Sequence, residues 1–120
     1  MAGRFCVSVT HAKDDKDRAT VGFVVANAAI GCEQETIVFL STEGVRLAVQ
    51  GYADDIVEEG FAPLKQLMTN FVGEGGTIYV CSPCFNKRKL DESKLVPGAK
   101  IVGGAKLVEF LAAGGACISY

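Results

Sequence analysis

The sequence predicts one α/β domain over residues 1–120, a three-layer α/β/α sandwich around a mainly parallel sheet of about five strands. Three observations predict it. Strand-like apolar runs alternate with helical segments of about a dozen residues. The connections between those runs are too long for hairpins, which leaves parallel pairing through crossovers. No linker, repeat or low-complexity stretch interrupts the 120 residues, and that length fits a single domain.

In chain order, Arg4 to Thr10 sets Phe5, Val7 and Val9 on one face and Cys6 and Ser8 on the other, a first strand. Residues 11–18 are a polar loop with aspartates suited to capping a helix. Ala19 to Ile30 is a helix apolar on nearly every side, interrupted only by Asn27. Such a helix is expected to be buried twice over, against its own sheet and against another subunit. Glu35 to Ser41 is a second strand, dense in β-formers. Val45, Val49, Tyr52 and Ile56 then recur at helical intervals broken by Gly51, and Asp54, Asp55, Glu58 and Glu59 mark a solvated loop or edge.

Pro63 opens a helix in which Leu64, Leu67, Met68, Phe71 and Val72 form one core-facing stripe. Gly73-Glu-Gly-Gly76 ends it and leads into a third strand, Thr77 to Cys81. Residues 90–95 are short and mixed, Pro97-Gly98 is a turn, and Lys100 to Val102 is a brief extended piece. Gly103-Gly104 opens a last helix through Leu107, Val108, Phe110 and Leu111. Gly114-Gly115 stops it, and Ala116 to Tyr120 closes the sheet.

The composition narrows the function. A formal net charge of −2 argues against a nucleic-acid partner, which needs a basic surface. No apolar run approaches the ~18 residues of a membrane span, and the amino terminus has no signal-peptide layout, so the chain is expected in the cytoplasm. Five cysteines, an odd number without framework spacing, suit a reducing compartment and free thiols. With 49% apolar residues in a chain this small, more apolar area is expected than one core hides. A homo-oligomer is the expected outcome, the alternative being a monomer merely rich in alanine and valine.

The candidate site is the turn after the third strand, Cys81-Ser-Pro-Cys84. Proline has no N–H to donate and stops the strand there, while its fixed φ suits the start of a helix. Two thiols therefore stand where a strand ends and a helix begins, the place in an open α/β sheet where reactive groups gather. Amides free at that helix start, with Lys87 and Arg88 nearby, are expected to favour the Cys81 thiolate, the form that attacks sulfur. The competing reading is a small buried hydrophobe, in a non-catalytic oligomer that binds a partner or small ligand. Cys84, at C-x-x-C spacing, can form a disulfide with Cys81 or resolve a persulfide or sulfenate on it.

The same pair is half of a zinc site that His11 and Glu43 could complete. Without a second pair, though, no metal and no cofactor are expected. His11, the single histidine, and Glu43 both fall on carboxyl-end loops, where they can bind substrate or exchange a proton with it. Cys6 and Cys117 are expected to pack inside strands, and Cys32 to be an incidental thiol.

Taken together, several segments resemble the DsrE/DsrF-like family over nearly the whole chain. They are Thr10-His-Ala-Lys-Asp-Asp15 leading into Arg18-Ala-Thr20, Thr36-Ile-Val-Phe-Leu-Ser-Thr-Glu-Gly-Val45, Cys81-Ser-Pro-Cys84 with Lys87-Arg88, and Gly114-Gly-Ala-Cys-Ile-Ser-Tyr120. The resemblance implies a compact α/β sandwich assembled as a trimer or hexamer. It also implies sulfur relay. The cysteine matching Cys81 accepts sulfane sulfur as a persulfide from a small sulfur-carrier protein and passes it on. By their own positions, His11 and Arg88 are expected to shape the pocket and Glu43 to join its rim. Two departures stand out. Relay members do not need a cysteine at position 84, which points to resolving or redox chemistry. Many relatives have Arg-Gly where this chain has Arg88-Lys89.

Overall fold

The structure, a computed structural model, describes residues 3–120. Five strands, β1 (Arg4–Val9), β2 (Glu35–Leu40), β3 (Thr77–Cys81), β4 (Ala99–Val102) and β5 (Gly115–Ser119), form one sheet in the order β4-β3-β2-β1-β5. Every neighbouring pair is parallel. Four helices connect or follow them: α1 (Lys16–Gly31), α2 (Leu64–Gly73), α3 (Ser82–Lys87) and α4 (Gly104–Ala112).

Strand alternation sorts the core into two layers. Val7 and Val9, Val38 and Leu40, and Ile78 and Val80 face the helices α1 and α2, packing on Phe23, Ala26, Met68 and Phe71. Phe23 and Phe71 meet edge to face with ring centroids 6.0 Å apart, a favoured aromatic geometry. Cys6, Ile37 and Phe39 point the other way and meet Phe110 of α4. β4 and β5 lie at opposite edges, about 19 Å apart at four strand spacings. The connection between them must therefore cross the whole sheet, and that is why α4 covers its second face.

α1 starts earlier than its apolar run, because Asp15 accepts a hydrogen bond from the Arg18 N–H and caps the helix. Within this chain it is buried on one side. Ala19, Gly22, Phe23, Ala26 and Ala29 are buried, whereas Val21, Val24 and Val25 are half-buried and Ala28 is exposed. The segment after β2 is two short 3-10 helices, Thr42–Ala48 and Tyr52–Asp55. The helical spacing of its apolar residues thus marks tight turns, and Gly51, with φ at +88°, separates them. Asp54 and Asp55 are exposed as expected, paired with Lys65 and Lys13. The expectation that Cys6 and Cys117 both pack inside strands changes as well. Cys6 is buried, but Cys117 is exposed, because β5 is an edge strand that α4 leaves largely uncovered.

The end of α3 gives the Arg88-Lys89 departure a physical meaning. The Lys89 N–H donates to the Asn86 carbonyl at 3.0 Å and the Leu90 N–H to the Phe85 carbonyl at 3.4 Å, the paired bonds of a Schellman ending. Lys89 sits at its left-handed position, with φ at +53°. That conformation costs an L-residue roughly 1–2 kcal/mol, and glycine's extra chain entropy takes back about 0.5–1. Lys89→Gly is expected to stabilise the protein by about 0.5–1 kcal/mol, visible as a Tm a few degrees higher; an unchanged or lower Tm would mean that the lysine side chain contributes more than the strain it carries.

Candidate functional site

β3 delivers Cys81 to the carboxyl edge of the sheet, and the chain turns at once into α3 with Pro83 in its first turn. Cys81 is half-buried and lies between the two core layers. Cys84, one turn later, is also half-buried and packs on the larger core, while Phe85 behind it is fully buried and anchors the helix.

The protonation of Cys81 runs against the sequence expectation. Burial, the largest influence, pushes the thiol up, and the Cys84 backbone N–H pulls it down. The Cys84 thiol then pushes it up again, while the Arg88 charge pulls it down. The balance is upward. The amide and the arginine that were expected to make an anion are both present, but together they do not repay the loss of water around the sulfur. Cys81 at neutral pH is a protonated thiol.

Glu43 and Arg88 are brought together. The Arg88 Nε donates to Glu43 at 2.6 Å, the Arg46 Nε donates to the other carboxylate oxygen at 2.8 Å, and an Arg88 terminal nitrogen donates to the Cys84 carbonyl at 3.2 Å. Glu43 thus ties the 3-10 helix after β2 to the cysteine helix through Arg88, whose side chain is only 16% exposed. One carboxylate between two guanidinium groups leaves the cluster with a net positive charge, and Arg88 is the member that reaches the cysteine helix. Hydrogen bonds from Arg88 and then Arg46 hold the Glu43 carboxyl below its usual range.

A carboxyl depressed in this way adds stability that is complete above the ordinary glutamate value and is lost as pH falls through the lowered one. Wild-type and Glu43→Gln proteins should therefore differ in Tm at pH 6 and converge towards pH 3. A gap that stays constant across that range would show that the clamp does not depend on charge.

His11 lies on the same edge but not beside the thiols. It follows β1, and β2 intervenes between β1 and β3, so the strand ends are about 10 Å apart. Its Nδ1 is 2.7 Å from Asp14. Burial pushes the Asp14 carboxyl up, but the Ala12 N–H and the His11 ring hold it below the usual range. Among the described residues no three of His, Cys, Asp and Glu converge as a metal site.

Two contributors escaped the sequence reading. Arg46 could have been found from its i+3 spacing to Glu43 on a turn. Thr42 could not, because a β-branched residue at φ +50° is one that sequence argues against. Its hydroxyl lies 2.7 Å from the Thr10 and Ser41 carbonyls, which holds the start of the Glu43 turn onto the end of β1.

Comparison with known proteins agrees with this architecture. The model of the DsrE/DsrF-like family matches residues 3–120. The uncharacterized protein MJ0989 of Methanocaldococcus jannaschii is 30% identical over 108 residues, covering 90% of this chain and 91% of its own. MJ0760 of the same organism is 27% identical over 95 residues, 79% of this chain, and the match spans about a third of that longer protein (34%). Two solved structures share the fold. The ychN protein from E. coli has a TM-score of 0.69 at 15% identity, covering 98% of this chain and 99% of its own. MTH1491 from Methanobacterium thermoautotrophicum, a protein of unknown function, has 0.71 at 16% with the same coverage.

Proposed function

Because the chain belongs to the DsrE/DsrF-like family, we propose that it is a sulfur-relay protein in which Cys81 accepts sulfane sulfur and Cys84 resolves it. The observation that carries this reading is the pairing of the two half-buried thiols across the first turn of α3, with the Arg88 charge held on the same turn. In the loading step Cys81 loses its proton and its sulfur attacks the outer sulfur of a donor persulfide, R–S–SH. The new S–S bond forms as the donor's breaks, leaving Cys81–S–SH and the donor thiolate. In the forward step an acceptor thiolate takes the outer sulfur and Cys81 leaves as thiolate. If no acceptor arrives, the Cys84 thiolate attacks the Cys81 sulfur, expels hydrosulfide and closes a Cys81–Cys84 disulfide.

A persulfide is more acidic than its parent thiol. The Arg88 charge, which pulls the Cys81 thiol down, therefore meets more anion in the loaded form than in the empty one. The donor or acceptor in this reading is a small sulfur-carrier protein presenting its own cysteine, and the role of His11 is to orient that partner from the far side of β2. The half-buried valines of α1, with exposed Val57 and Phe61, support a homo-oligomer, a trimer or hexamer.

A second reading, a dithiol redox protein, rests on the same closeness of Cys81 and Cys84. The two separate by peptide mass mapping after incubation with a persulfide donor such as glutathione persulfide. One added sulfur on the Cys81 peptide supports relay. A Cys81–Cys84 disulfide formed with no sulfur-loaded precursor at any time supports the redox reading and removes the first.

A further inference from the structure

A second pair of cysteines lies on β1 and β5, beyond β2 from the candidate site. β1 and β5 are parallel with Cys6 and Cys117 as register partners, so both side chains leave the sheet on the face that α4 crosses. Neighbouring strands are about 4.8 Å apart, which places the two Cα atoms inside the window a disulfide tolerates. Their surroundings differ. Cys6 is fully buried with Ile37, Phe39 and Phe110, whereas Cys117 is exposed. β5 pairs with β1 on one side and forms the sheet's edge on the other. Ala116, Cys117, Ile118 and Ser119 are all exposed, so the strand can make the small shift that bonding two sulfurs requires.

We propose that Cys6 and Cys117 are a second working dithiol, with Cys117 the site modified by small disulfides and Cys6 the thiol that closes it to an intramolecular disulfide. The Cys117 thiolate attacks one sulfur of a disulfide RSSR. The Cys117–S–SR bond forms as RS–SR breaks, and RS⁻ leaves to take up a proton. Cys6 then gives its proton to water, attacks the Cys117 sulfur and displaces the second RS⁻. Two protein thiols are oxidised and one small disulfide is reduced to two thiols. Burial, with the Cys117 thiol beside it, pushes the Cys6 thiol far up. Closure is therefore the slow step, and it speeds up about tenfold per pH unit between pH 7 and 9. Closing the bond fastens the exposed edge strand, and with it the chain's last residues, to the sheet.

The test is peptide mapping under non-reducing conditions after incubation with oxidised glutathione at pH 8. It is run on the full chain and on a Cys81→Ser, Cys84→Ser variant, so that the reading survives if the variant folds poorly. The expected result is a transient glutathione adduct on Cys117 followed by a linked Cys6–Cys117 peptide pair. Cys6→Ala should freeze the adduct, and Cys117→Ala should leave Cys6 unmodified. An adduct on Cys117 that persists for hours with Cys6 present overturns the proposal. So does an unreacted Cys117 when Cys32, also exposed, is modified. Neither thiol belongs to the sulfur-relay reading, so each can fail without the other.

Discussion

Cys81→Ser is expected to abolish sulfur loading, by at least about a hundredfold, while Cys84→Ser keeps loading and prolongs the persulfide. The asymmetry follows from what each atom does. A serine hydroxyl ionises far less readily than a thiol and does not form a persulfide, so no S–S bond to the donor can be made at position 81. At position 84 the change removes only the nucleophile that would expel hydrosulfide, and the loaded state should last on the order of ten times longer. Both side chains are half-buried and differ from serine by one atom, so neither variant should lose more than about 1 kcal/mol.

The pH profile adds a second readout. Because burial raises the Cys81 thiol, wild-type loading should climb from pH 7 and not level off by about pH 8.5, the ordinary cysteine value. A plateau near pH 6 would contradict the protonated thiol. Loading of Cys84 in the Cys81→Ser protein would reverse the two roles.

Gly44→Ala is expected to be the most damaging single methyl in the chain. Gly44 is buried in the 3-10 helix that carries Glu43, and a Cβ there would collide with the Val9 carbonyl oxygen at the end of β1. That neighbour is sheet backbone and cannot swing away, and Ser41, three residues earlier, is bonded to the same carbonyl at 3.2 Å. The turn must lift off the sheet, straining the Thr42 contact to Thr10 and pulling Glu43 from Arg88. Overpacking of this kind costs about 2–3 kcal/mol, a fall in Tm on the order of 10 °C. Gly31→Ala supplies the control, since a Cβ at the end of α1 meets nothing within 4 Å. It should be neutral or slightly stabilising. Equal melting of the two variants would sink the argument.

The legible parts of this protein were those governed by neighbours in sequence. Alternation in Phe5, Val7 and Val9 marked β1 and its two faces, and the stripe from Leu64 to Val72 gave α2. Pro83 after Cys81 ended β3 and started α3, which fixed where the two thiols stand. Each of these signals is a backbone restriction or a hydrophobic period, and both are written locally.

The sequence by itself therefore determined the order of strands and helices and the position of the cysteine turn. Only the tertiary structure decided the strand order β4-β3-β2-β1-β5, and with it the separation of His11 from Cys81 and the exposure of Cys117. It also decided that Glu43 is held between Arg88 and Arg46, and that Cys81 keeps its proton. These outcomes depend on water removed and charges gathered by segments far apart in the chain, 45 residues for Glu43 and Arg88 and 110 for Thr10 and Tyr120. Desolvation and electrostatics sum over everything nearby in space, and no window of sequence contains that sum.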